Sequence, residues 1–150
     1  MFPKAHAVAY VMMGFRIAWF KIHYPLAYYA AFFTIRATAF DYELMCRGKE
    51  ELDKNLKLYK ANPNLTAKEK DTVRDMKIVQ EFYARGFSFL PVNLYESEAV
   101  KFTIKGDKLL PPFSSIDGMG GIAAEALALA AKDGPFISKD DIAQRAKVSR

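Results

Sequence analysis

Cysteine is nearly missing from this sequence. Cys46 is alone among 150 residues, so no disulfide can form within the chain, and a reducing cytoplasm is the expected setting. Histidine is almost as scarce: His6 and His23, with one cysteine, match no zinc-ligand spacing. Acid is absent from the first forty residues. That stretch holds Lys4, Arg16, Lys21 and Arg36, and Asp41 is the first carboxylate, so four of the five net positive charges lie there. Such an imbalance favours an anionic partner, whether nucleic acid, nucleotide or an acidic surface. Also lacking is an uninterrupted apolar span of the roughly 20 residues that a bilayer crossing needs. Lys4 followed by the apolar run to Phe15 mimics a secretory signal, but Arg16 and Lys21 come soon after and no small-residue cleavage site follows. A membrane location is not expected.

What is present is enough for a fold. With 51% hydrophobic and 26% charged residues, the chain has the composition of a globular protein and can bury one core or two small ones. Pro3 suits the first turn of a helix, where its missing N–H costs nothing. The spacing predicts that helix from about Lys4 to His23. Tyr24-Pro25 ends it, because a residue before proline is pushed out of the helical region, and Pro25 opens a second helix through Phe33. Both helices are apolar nearly all round, as for an interior helix or one that covers a partner. The aromatics among them are expected mostly in the core. Lys4 and His6 sit at the positive end of the first helix, beside its free amides, in a pattern that suits an anion such as a phosphate. Tyr10 is four residues from both His6 and Gly14 and shares their helical face. A flat base can approach a tyrosine beside such a gap, and a tyrosine packed over glycine has the same spacing.

From Asp41 the chain turns polar. Asp41 is expected to cap a helix through about Tyr59, with Leu44, Leu52, Leu56 and Tyr59 as its stripe. After a loop at Asn62-Pro63-Asn64, Thr66 and Glu69 form a capping-box pattern for a helix ending near Arg85, with Gly86 as its stop. These charged helices read as an antiparallel pair with a solvated face and no chemistry. Phe87 to Phe89 and Ala99 to Ile104 read as short strands. A turn at Lys105-Gly106-Asp107-Lys108 follows, with a return at Leu109-Leu110 before Pro111-Pro112 stop the pairing.

The tail carries Ile116-Asp117-Gly118-Met119-Gly120-Gly121, a Gly-x-Gly turn leading into an alanine-rich helix to about Lys132. A glycine turn at a helix start can bring a nest of amides against one DNA phosphate, where any Cβ would hold the phosphate off. The same pattern also serves as an ordinary turn. Ser138 is expected to cap a last short helix, and Lys147-Val148-Ser149-Arg150 begins what looks like a second hairpin unit.

Three stretches together resemble the fingers region of PolC-type bacterial DNA polymerase III alpha chains. They are Phe2-Pro3-Lys4-Ala5-His6-Ala7-Val8-Ala9-Tyr10-Val11, then Arg16-Ile17-Ala18-Trp19-Phe20-Lys21-Ile22-His23-Tyr24-Pro25-Leu26, then Tyr28-Tyr29-Ala30-Ala31-Phe32-Phe33. The likeness runs to the last residue, close at both ends and weak from about Glu50 to Val79. It departs at Val8, where alanine is common, and at Asp117, where proline is more frequent. The fold class it implies is mainly α with a small β element: a helical fingers-like region over 1–86, a short β-hairpin connector over 87–112, and a helix-hairpin-helix over 113–150.

The function implied is part of a replicative DNA-directed DNA polymerase, which transfers nucleotides under template direction. In such an enzyme Lys4 and His6 cradle the incoming deoxynucleoside triphosphate, and Tyr10 lies near the nascent base pair. Gly118, Met119, Gly120 and Gly121 hold the primer-template duplex. The Mg2+ ions of the full enzyme would be held by palm carboxylates upstream of Met1. The sliding clamp would bind sequence beyond Arg150, and the 150 residues alone would be inactive. A non-enzymatic helix-hairpin-helix DNA-binding module is the alternative, and a membrane-surface or partner-docking protein built on the apolar helices is a third.

Overall fold

The computed structural model describes residues 3–147. The first helix, α1 (Lys4–His23), ends where Tyr24 leaves helical geometry, and α2 (Pro25–Ile35) begins with proline in its first turn. A short α3 (Tyr42–Met45), α4 (Lys49–Ala61) and α5 (Ala67–Ala84) follow. Three short strands come next: β1 (Ser88–Phe89), β2 (Thr103–Lys105) and β3 (Lys108–Leu110). A 3₁₀ turn at Phe113–Ser115 leads to α6 (Gly121–Lys132) and α7 (Lys139–Ala146). The protein is mainly helical with a small sheet.

Two hydrophobic clusters hold these elements. In the first, Tyr29 and Phe33 of α2 pack with Met45, Leu52, Leu56, Met76, Val79, Phe82, Phe102 and Leu109, all of them buried. Phe33 touches Phe40, Phe82, Phe89 and Phe102 with ring centroids 5.3–5.8 Å apart, which makes it the hub of an aromatic core. Full burial of a side chain of this size is worth about 1.5–3 kcal/mol. The second cluster joins Phe113 to Ala124, Leu127, Ala130 and Ala146. The alanines let α6 and α7 approach closely.

The predicted helix from Asp41 to Tyr59 is broken. Asp41 does cap, accepting the Leu44 amide at 3.0 Å, but helix stops at Met45 and restarts at Lys49. The reason is Gly48, whose φ of +104° interrupts the helix. Tyr83 secures the break, its hydroxyl accepting from Gly48 N at 3.3 Å and donating to the Met45 carbonyl at 2.9 Å. The capping box at Thr66 and Glu69 forms with both of its hydrogen bonds. Gly86 takes a φ of +86° where α5 stops.

The strand expected over Ala99 to Ile104 shrinks to Thr103–Lys105, antiparallel to β3. The third strand adds from upstream: β1 runs parallel to β3, with Ser88 opposite Lys108 and Phe89 opposite Leu109. The largest departure concerns α1. It has no buried residue, and its Tyr10, Phe15, Trp19 and Phe20 are all exposed, so its aromatics are not core. Val148, Ser149 and Arg150, which carry most of the expected second hairpin unit, lie outside the described residues.

Candidate functional site: a glycine hairpin and a projecting helix

The tail hairpin is built by a tight turn. The Met119 amide donates to the Ile116 carbonyl at 3.1 Å, and Gly118 occupies the turn at φ +78°, a conformation that disfavours a side chain. Met119 points back against the second cluster, while Asp117, Gly118, Gly120 and Gly121 are exposed. Gly120 then serves as the N-cap of α6, and no side chain caps this helix. Its first-turn amides therefore face outward with the positive end of the helix dipole behind them. A Cβ added at Gly120 or Gly121 would meet nothing within 4 Å. The bareness there is not demanded by packing within the chain, and it leaves the backbone approachable from outside. A groove of about 630 Å³ runs alongside, lined by Thr38, Asp41, Lys68, Glu69, Ser114 and the hairpin itself.

Behind the hairpin, Arg145 of α7 locks the second half of the unit. Its guanidinium donates to the carbonyls of Ala130, Gly134 and Pro135 at 2.6–3.3 Å. It also pairs with Asp141 at 3.4 Å and lies 4.4 Å over the Phe136 ring. Ser138 caps α7 as predicted, accepting the Asp141 amide at 3.0 Å. The result is a helix–loop–helix whose leading edge is the glycine turn.

The other predicted site lies on α1. Lys4, His6 and Tyr10 are all exposed, and the His6 and Tyr10 rings meet in a tilted contact, 4.5 Å between centroids and 58° between planes. No acid and no side-chain cap stands in the first turn. Fewer amides are open than the sequence suggested, because those of His6 and Ala7 donate to the Pro3 carbonyl at 3.0 and 3.3 Å. Gly14 faces open space, so Tyr10 is not a core tyrosine packed over glycine. The structure thus brings Lys4, His6 and Tyr10 together on one solvent-facing helix, and the four hairpin residues together on another element.

Sequence reasoning missed the joint beneath α1. It assigned no chemistry to the charged helices, yet Glu81 of α5 gathers Lys21, Tyr29 and Arg85 around its carboxylate. Partial burial works to raise the pKa of Glu81. Hydrogen bonds from Lys21 and Tyr29, with the charges of Lys21 and Arg85, outweigh it and hold the carboxyl below its usual range. Burial and the Glu81 hydrogen bond push the Tyr29 phenol up. The available signals were Lys21 in an otherwise apolar run and the four-residue step from Glu81 to Arg85. Burial, with Asp41 and Glu43 nearby, pushes the Cys46 thiol well up, away from the thiolate form. Among the described residues, no group of three His, Cys, Asp or Glu side chains is placed to hold a metal ion. No described helix is long and apolar enough to cross a membrane.

A glycine turn feeding an uncapped helix, backed by a second packed helix, is a helix-hairpin-helix arrangement, and residues 86–150 match the family model described as a helix-hairpin-helix motif. The whole chain goes further. It is 47% identical over 150 residues to DNA polymerase III PolC-type of Thermotoga maritima. It is 46% identical over 151 residues to the PolC-type enzymes of Staphylococcus haemolyticus and Clostridium perfringens. All 150 residues are covered in each case, whereas the chain spans only 10–11% of the length of these relatives. Along its whole length the chain is therefore similar to one short segment of PolC-type DNA polymerases III.

Proposed function

We propose that this chain is the part of a replicative, PolC-type DNA polymerase that meets the incoming nucleotide and grips the duplex. The observation that carries the reading is the hairpin from Ile116 to Gly121, whose Gly120 and Gly121 leave the start of an uncapped helix bare, in a chain similar to PolC-type enzymes from end to end. The hairpin amides take a phosphate of the primer-template duplex without reading its sequence. On α1, the Lys4 ammonium and His6 meet the triphosphate of a deoxynucleotide, and Tyr10 offers a ring face to the nascent base pair. Two-metal chemistry in such an enzyme stabilises the attacking and leaving oxygens. Among the described residues no cluster fits those metals, so on this reading the Mg2+ ligands belong elsewhere in the enzyme and the chain alone is inert. A sliding clamp meets the enzyme through sequence beyond Arg150, in the cytoplasm.

Duplex binding tests the hairpin. Affinity is expected to fall steeply with salt and to be indifferent to sequence. Gly120→Val weakens it by blocking the amides, while Lys54→Ala on α4 leaves it nearly unchanged. Equal losses from the two would replace the hairpin with diffuse charge attraction. For α1, Lys4→Ala in the complete enzyme slows single-turnover incorporation by roughly 10²–10³, the effect of losing one electrostatic stabiliser, with primer-template affinity preserved. Lys4→Arg recovers part of the rate. Incorporation by Lys4→Ala within about twofold of wild type makes Lys4 a mere solvent-facing residue.

A further inference from the structure

Helix α1 is a lever held near its C-terminal end. It buries none of its twenty residues, and at about 1.5 Å per residue it carries Lys4 roughly 25 Å from Lys21. At Lys21 the chain is gripped. The Lys21 Nζ lies 2.8 Å from Glu81 Oε1 and 2.9 Å from Oε2, and stands over the rings of Tyr28 and Tyr29 at 5.2 and 5.9 Å. The Tyr29 hydroxyl of α2 donates to Glu81 Oε1 at 3.0 Å. Arg85 Nε pairs with the same oxygen at 3.0 Å, and Arg85 Nη1 donates to the Lys21 carbonyl at 3.3 Å. One carboxylate on α5 therefore joins donors from α1, α2 and its own helix. Isolated surface ion pairs contribute little, but three donors sharing one acceptor form a network that fixes geometry. A tilt of about 5° at this joint moves Lys4 by roughly 2 Å, given the rise of a helix.

We propose that Glu81 is a positioning residue for nucleotide incorporation, setting the angle at which α1 presents Lys4, His6 and Tyr10. The proposal rests on the reading of α1 as the nucleotide-binding helix. Glu81 touches no reacting group and acts only through the direction of the lever. Misplacement by about 1 Å can cost on the order of 10²-fold in rate, so a slack joint is felt at the far end.

The test is a cycle of variants in the complete polymerase, read by single-turnover incorporation, primer-template affinity and thermal melting. Glu81→Gln keeps the shape and an acceptor for Tyr29 while removing the charge that holds Lys21 and Arg85. It is expected to slow incorporation by roughly 10- to 100-fold with unchanged duplex affinity and only a slightly lower melting temperature. Lys21→Gln, which breaks the same contact from the α1 side, reproduces the loss and decides the matter on the same terms if Glu81→Gln fails to fold. In a Lys4→Ala background, Glu81→Gln adds little further loss. Normal incorporation by Glu81→Gln beside a slow Lys4→Ala overturns this inference alone, as does an undiminished Glu81→Gln effect when Lys4 is gone. Normal incorporation by Lys4→Ala overturns the reading of α1, and the inference with it.

Discussion

Asp75 and Glu81 lie six residues apart on α5, and their surroundings shift them in opposite directions. Asp75 has no exposed surface. Its carboxylate accepts the Ala39 amide at 3.0 Å and Arg74 Nε at 3.3 Å, tying the segment after α2 to α5. Burial nevertheless raises its pKa above the ordinary 3.8, with the amide and Arg74 opposing the shift. A raised folded pKa means that the native state holds the proton more tightly. The stabilisation is full below the unfolded value and is lost as pH rises through the folded one. The melting temperature of Asp75→Asn, minus that of wild type, should therefore grow as pH rises from about 4 to neutral. A gap that shrinks over this range would mean that Arg74 outweighs burial. Glu81 has the opposite sign: its lowered pKa gives stability that is present above the unfolded value and lost as pH falls through the folded one. The deficit of Glu81→Gln relative to wild type should narrow in acid. A deficit that is constant with pH would show that the carboxylate is not held by its partners.

The hairpin and α6 set a local conflict between stability and binding. Gly120 has N-cap geometry, φ −68° and ψ 158°, with no side chain accepting from the first turn. An aspartate there would supply the missing acceptor, and aspartate is better than glycine at this position by a few tenths of a kcal/mol. Gly120→Asp is therefore expected to melt slightly above wild type and to bind duplex much more weakly, because its charge would face the phosphate. Lower stability with intact binding would show that the uncapped amides are not the contact. Gly118 behaves differently. Its φ of +78° makes Gly118→Ala destabilising by about 1 kcal/mol, although a Cβ there would meet no neighbour.

On the scale of the whole molecule, the apolar surface is concentrated at one end. Val8, Val11, Met12, Met13, Phe15, Ile17 and Ile22 of α1 are all more than half exposed. A groove of about 670 Å³ between α1 and α2 is lined by Ile17, Phe20, Tyr28, Phe32 and Ile35. Exposed apolar surface of this extent drives association when nothing covers it. The 150-residue chain is expected to self-associate, and light scattering at tens of micromolar should show it. A monodisperse monomer there would contradict the expectation.

Local chemistry accounts for what the sequence determined alone. Pro25 separates α1 from α2, Thr66 and Glu69 start α5, Ser138 starts α7, and Gly118 to Gly121 mark the hairpin. Each is a capping, φ or proline effect that acts within four residues, so the order of elements and the mainly helical class were legible. What only the tertiary structure decided involves distant partners. The break at Gly48 depends on Tyr83, thirty-five residues away. The third strand depends on β1 finding β3 across the chain. The burial of Tyr29 and Phe33 beside the exposure of Phe15 and Trp19 cannot be read from two helices that are apolar on every face, because such helices carry no periodic signal for which side meets the core. The joint at Glu81 was hidden for the same reason: Lys21 and Glu81 are sixty residues apart, and only packing makes them neighbours.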